Sequence, residues 1–146
     1  MGRLMGLDVG LKRIGVALSD EGRRIASPHS VITHKGWGPD IRAIGEIYRA
    51  NGCEGIVCGL PRNMDGSVGF QAKEVLLFGE QLEQNGYPVA YMDERLSTVE
   101  AESALIEDGM RRERRKDYVD KVAAAVILQR YLDGEPDQYI KEKKND

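Results

Sequence analysis

The chain is short of cysteine, of long apolar runs and of basic charge in excess. Its two cysteines, Cys53 and Cys58, are too few for a disulfide framework or a four-cysteine zinc site. Neither histidine lies beside them, and Cys58 in Ile56-Val57-Cys58 reads as a buried reduced thiol. The longest apolar stretch, Val122 to Leu128, is far short of the roughly 20 residues that cross a bilayer. Met1 to Gly6 leads to Asp8 before any long apolar segment, unlike a secretory signal. A cytoplasmic protein with no membrane partner is expected. Lys and Arg number 21 against 24 Asp and Glu, so 21 − 24 = −3. That balance excludes a surface that is basic all over, but not a local basic patch.

What is present fits one soluble domain. The 146 residues are 41% hydrophobic and 31% charged. A domain of that size buries roughly two-thirds of its unfolded surface without covalent staples. Leu4 to Val9 reads as a buried strand, and Ile14 to Leu18 follows so soon that the two form an antiparallel hairpin. Ile25 to Thr33 is a third strand, with Pro28 marking an edge or a bulge.

The period then changes. Asp40 to Ala50 carries Ile41, Ile44, Ile47 and Tyr48 at helical spacing, stopped by Gly52. Gly55 to Leu60 reads as strand, Val68 to Asn85 as helix and Tyr87 to Met92 as strand. Ser97-Thr98-Val99-Glu100 matches a capping box opening a helix that Gly109 ends. Asp117 to Leu132 is the last helix, with Asp117 as a candidate N-cap. The order is β-β-β-α-β-α-β-α-α, an α/β chain with a five-stranded mixed sheet and helices on both faces. Residues 1–134 form the expected domain, and 135–146 a polar tail expected to fray.

Three acids are awkward alone. Asp8 interrupts an apolar strand, where a lone carboxylate is costly unless paired or bound to a cation; capping the turn into Gly10 is the plain alternative. Asp93-Glu94 falls at the carboxyl end of a strand, where open α/β sheets form ligand sites, though a solvated loop would also explain it. Asp120 lies a turn inside the most apolar helix, whose dipole alone could account for it. Together they make sense around divalent metal, because hard oxygen ligands suit Mg²⁺ or Mn²⁺. Such ions activate water in phosphodiester cleavage, so no nucleophilic side chain is needed.

Two basic features accompany them. Gly59 to Ser67 is a glycine-rich loop between strand and helix, able to offer N–H groups to phosphate, with Arg62 and Ser67 as added donors. It lacks the Gly-Lys-Ser/Thr ending of a Walker A loop. Arg111-Arg112-Glu113-Arg114-Arg115-Lys116 has no apolar anchor and reads as a mobile loop, a phosphate clamp or a solvated charge run. Lys12 and Arg13 in the first hairpin extend that patch. Trp37 and Tyr48 form no obvious stacking platform.

These motifs together resemble the YqgF/RuvX family, bacterial proteins described as Holliday junction resolvases or pre-16S rRNA nucleases. The likeness rests on Gly6-Leu7-Asp8-Val9-Gly10 through Arg13 to Asp20, on Gly59 to Gly69, on Asp93-Glu94-Arg95-Leu96-Ser97-Thr98, and on Tyr118-Val119-Asp120-Lys121 with Ala123 to Gln129. It covers nearly the whole chain. The resemblance implies an RNase H-like fold and a metal-bound triad of Asp8, Glu94 and Asp120, with the choice between Asp93 and Glu94 open. Arg95 joins Lys12, Arg13, Arg62, Ser67, Arg111, Arg112, Arg114, Arg115 and Lys116 as expected nucleic-acid contacts. RuvC-type enzymes carry a glutamate at the end of the fourth strand, whereas Gly59-Leu60-Pro61 has no acid there.

The expected activity is metal-dependent cleavage of structured nucleic acid, processing the 5′ end of pre-16S rRNA. Ribosomal particles are the expected partners, and the chain a monomer or weak homodimer. Two alternatives stand beside it: a dimeric resolvase of four-way DNA junctions, and a non-catalytic RNA-binding assembly factor. Actin-like kinases share an Asp-x-Gly opening strand but need two such domains, for which this length has no room.

Overall fold

The computed structural model describes residues 2–62, 68–93, 112–134 and 138–139, the backbone alone at 112–119 and 138–139. β1 (Arg3–Val9) and β2 (Arg13–Ser19) pair antiparallel, as their short connection requires, and the Gly10 N–H closes the turn on the Arg13 carbonyl at 2.9 Å. β3 (Ala26–Thr33) pairs with β2 at the edge of the sheet. Its register slips between Val16 and Ala17, so Ala17 faces Pro28, and the proline is accommodated at both an edge and a bulge. The preceding turn is tied by Asp20, whose carboxylate accepts the N–H groups of Arg24 and Ile25. The Ile25 bond first, then that of Arg24, holds the Asp20 carboxyl below its usual 3.8. A lowered folded-state value means that this contribution is present at neutral pH and is lost as pH falls through it.

Beyond the hairpin, α1 (Trp37–Ala50), β4 (Cys53–Leu60), α2 (Phe70–Gln84), β5 (Val89–Asp93) and α3 (Arg112–Leu132) follow in order. β4 pairs parallel with both β1 and β5. The helix read from Ser97 to Gly109 lies outside the described residues. The sheet runs β3-β2-β1-β4-β5-β6, where β6 is Gln138–Tyr139. This two-residue strand corrects the strand count, adding a sixth to the five expected. The outer edge of β5 presents unpaired N–H and C=O groups, and antiparallel pairing with Gln138–Tyr139 satisfies them.

A second correction concerns the basic segment. α3 starts at Arg112, so Arg112, Arg114, Arg115 and Lys116 are helical rather than a loop, and Asp117 lies inside the helix instead of capping it. Arg, Lys and Glu are good helix formers, and no glycine or proline interrupts 110–132.

Alternation divides the sheet between two cores. Met5 and Leu7 of β1, Ile14 and Val16 of β2, and Ile56, Cys58 and Leu60 of β4 pack with Ile44, Val75, Phe78 and Leu82 of α1 and α2. Leu4, Ala17, Val57 and Met92 pack instead with Ala124, Ile127 and Leu128 of α3. Helices therefore cover both faces, as the pattern predicts. The contact with α3 is unusually close. A Cβ on Gly6 would lie 2.8 Å from the Ala124 carbonyl oxygen and from Leu128 Cβ, and one on Gly15 would land on the Asp120 carbonyl oxygen.

Gly15→Ala is therefore expected to lower stability by about 1–3 kcal/mol through overpacking, read as a fall in the urea midpoint. Gly38→Ala in α1, where a Cβ meets nothing within 4 Å, is expected to raise stability by up to about 1 kcal/mol. Equal effects of the two would remove close helix approach as the reason for glycine at position 15.

Candidate active site

Asp8 belongs to the α3 side of β1, since Leu4 two pairs before it packs on α3 and Gly6 touches it. Its partner across the hairpin is Gly15. That glycine is where the backbone of Asp120 comes down on the sheet. Asp8 and Asp120 are 112 residues apart in sequence, yet the sheet register and the helix contact make them neighbours about one position. Arg13 completes the group: its Nε donates to Oδ2 of Asp120 at 2.8 Å, with both side chains partly open to solvent. The arginine holds one acid in place and offsets part of the charge that two carboxylates bring together.

The other expected acid position divides. Asp93 is the last residue of β5 and is 3% exposed. Tyr91, two residues earlier, packs with α1 and α2, whereas Met92 packs with α3, so Asp93 has the parity of the opposite face from Asp8. Its Oδ2 lies 3.9 Å from an Arg62 guanidinium nitrogen, and its carbonyl accepts from Arg130 of α3 at 3.2 Å. A buried carboxylate is costly unless partnered, and Arg62 supplies opposite charge. Glu94 lies outside the described residues.

The donor chemistry suits a hard divalent cation: Asp8 and Asp120 offer carboxylate oxygens on one face, with neither cysteine nor histidine beside them. Among the described residues no three of His, Cys, Asp and Glu gather as a metal cluster. The described part thus supplies two acids of the expected three.

Of the expected phosphate contacts, Lys12 is exposed in the β1–β2 turn, Arg13 is joined to Asp120, and Arg62 stands near Asp93. Arg112, Arg114, Arg115 and Lys116 occupy the first turns of α3, ahead of Asp120 on the same helix. Ser67, Arg95 and Arg111 lie outside the described residues. Sequence reading missed one polar pair. Asp40, in the first turn of α1, is 1% exposed, accepts the Lys35 N–H at 2.9 Å and bonds Nδ1 of His34. A polar residue just ahead of an acid in the first turn of a helix was the available signal.

A helix-covered mixed sheet with paired acids on one face defines an RNase H-like α/β protein. The RuvC of T. thermophilus, solved with a Holliday junction substrate, shares this fold at a TM-score of 0.55 and 16% identity, over 95% of this chain and 100% of that one. The fowlpox virus resolvase with Holliday junction DNA does so at 0.54 and 10%, over 90% and 97%. The family model described as "RuvX: Holliday junction resolvase" matches residues 2–134, and the chain belongs to that family. Relatives from Caldanaerobacter subterraneus subsp. tengcongensis and Heliobacterium modesticaldum are 48% and 42% identical. The first alignment covers 91% of this chain and 97% of the relative, the second 99% and 97%. Both carry the name "Putative pre-16S rRNA nuclease". Family and relatives alike are described as cutting nucleic acid.

A double-mutant cycle on Arg13→Ala and Asp120→Ala is expected to return a coupling of about 0.2–1 kcal/mol that shrinks with added salt, as for a partly exposed pair. Zero coupling at low salt would remove Arg13 as the group that holds Asp120.

Proposed function

We propose that the chain is a Mg²⁺- or Mn²⁺-dependent nuclease that hydrolyses phosphodiester bonds in structured nucleic acid and matures the 5′ end of pre-16S rRNA. The supporting observation is the seating of α3 on Gly15, which brings Asp120 beside Asp8. The names of relatives more than 40% identical favour pre-16S rRNA as substrate. Asp8, Glu94 and Asp120 are the proposed ligands. For Glu94 the support is that its neighbour Asp93 is already taken up beside Arg62.

When bound, the ions would polarise the scissile phosphate and lower the barrier to attack by water. The chain's own tasks are to hold and orient. Arg13 steadies Asp120, and two carboxylates on a rigid strand and a rigid helix keep their spacing as substrate enters. Lys12, Arg62, Ser67, Arg95, Arg111, Arg112, Arg114, Arg115 and Lys116 are the proposed phosphate contacts, giving salt-sensitive affinity without reading sequence. Acids held close by the fold repel until a cation arrives, so metal binding should stabilise the folded chain.

The family description supports a second reading, resolution of four-way DNA junctions. Two symmetric cuts require two sites, hence a dimer on the junction. A cleavage assay on a pre-16S 5′ precursor and on a four-way junction separates the two, with sedimentation of the junction complex alongside. We expect Mn²⁺-dependent cleavage of the RNA, reduced to background in Asp8→Asn while the thermal midpoint without metal is kept. Cleavage that survives Asp8→Asn would remove the triad. Tight RNA binding indifferent to chelator, with no cleavage, would instead identify an assembly factor.

A further inference from the structure

On the far side of the sheet from Asp8, a cavity opens behind the β1–β2 turn. Its floor is Ile14, Val75 and Phe78. Trp37 forms one wall, edge-on to Phe78 with ring centroids 6.3 Å apart at 61°, and it keeps 37% of its surface exposed. Beside the aromatic wall stand four polar residues, His34 just past the end of β3, the buried Asp40 of α1, and Gln71 and Glu74 from α2. His34 is oriented from behind, because the buried Asp40 carboxylate bonds its Nδ1 and leaves Nε2 as the remaining polar atom of the ring. None of these groups takes part in the proposed phosphodiester chemistry.

The chemistry of the walls selects the ligand. Two carboxylates, Glu74 and the buried Asp40, make the cavity hostile to a phosphate. An aromatic face next to an apolar floor suits a flat ring. Carboxylate, amide and imidazole at its edge suit a ring that carries hydrogen-bond donors. The cavity and the candidate active site lie on opposite faces at one end of the sheet: Gly10 of the β1–β2 turn lines the cavity, while Arg13, three residues on, bonds Asp120 on the other face. Only the β1–β2 turn separates them, where Gly10 has no side chain and Leu11 and Lys12 stand exposed. We propose that this cavity receives one unpaired base of the nucleic-acid strand whose backbone passes Asp8 and Asp120. The base stacks on Trp37 and donates an exocyclic amine to the Glu74 carboxylate, which favours adenine and cytosine over uracil. The proposal rests on the nuclease reading in taking nucleic acid as the ligand and in running its backbone past Asp8 and Asp120.

Trp37 is the sole tryptophan of the chain, so its fluorescence reports the cavity directly. The protein is titrated in EDTA with oligo(rA), oligo(rC) and oligo(rU) pentamers. We expect quenching by the first two with affinities at least about fivefold above that for oligo(rU), the lower end of what one base-edge contact contributes. Glu74→Gln, a half-buried position on a helix surface, should fold normally and cut the preference to below about twofold, because the amide also pairs with uracil. Equal quenching by all three pentamers, no quenching, or a preference unchanged in Glu74→Gln overturns the proposal. Cleavage of the pre-16S precursor is assayed in parallel. Cleavage without quenching overturns the pocket and leaves the nuclease reading intact, whereas selective quenching without cleavage does the reverse.

Discussion

Seating α3 against side-chain-free positions of the hairpin is the contact on which the candidate site depends. Gly6 and Gly15 leave bare backbone on one face of β1 and β2, and the Ala124 and Asp120 carbonyls come down on them. Close-packed interiors transmit such constraints rigidly. A methyl group at Gly15 would lift the start of the helix, and Asp120 would leave Asp8 with it. The three alanines Ala123, Ala124 and Ala125 serve the same approach from the helix side, and Ile127 and Leu128 anchor it further along, both fully buried. The small residues are a geometric requirement of that close approach as much as of the core.

Charge is arranged around that contact in pairs of unlike sign. Arg13 meets Asp120, Arg62 stands near Asp93, and Arg130 reaches the main chain at Asp93. A net charge of −3 therefore describes the surface poorly. The sequence at the start of α3 carries a run of cations, while Asp120 further along is partly exposed and bonded to Arg13 of the hairpin. Cations at a helix start oppose the helix dipole, a cost that packing of the apolar half of α3 offsets.

Much of the fold was legible because periodicity reports burial directly. The hairpin, the edge strand at Pro28 and the helices on both faces follow from alternation at period two and stripes at period 3.6. The limits were local. The basic run before Asp117 reads as loop if solvation is weighed, and as helix if propensity is weighed, and propensity prevailed. Gln138–Tyr139 carries no strand signal of its own; it pairs because β5 has an open edge. At the site, Asp8 and Asp120 were legible as charges in apolar surroundings. Asp40 was not, because an acid in the first turn of a helix reads as ordinary capping until its burial and its bond to His34 are known.

Outside the basic run and Gln138–Tyr139, the amino-acid order alone determined the types of the described elements, the division of apolar residues between two faces and the identity of the awkward acids. These are properties of a residue and its near neighbours, set by side-chain period and by the cost of burying charge. Only the tertiary structure decided which acids share a face, that Asp93 stands by Arg62, and that Trp37, His34 and Glu74 line one cavity. Those outcomes depend on strand register and on how closely a helix can approach a sheet, and one residue of register moves a side chain to the other face.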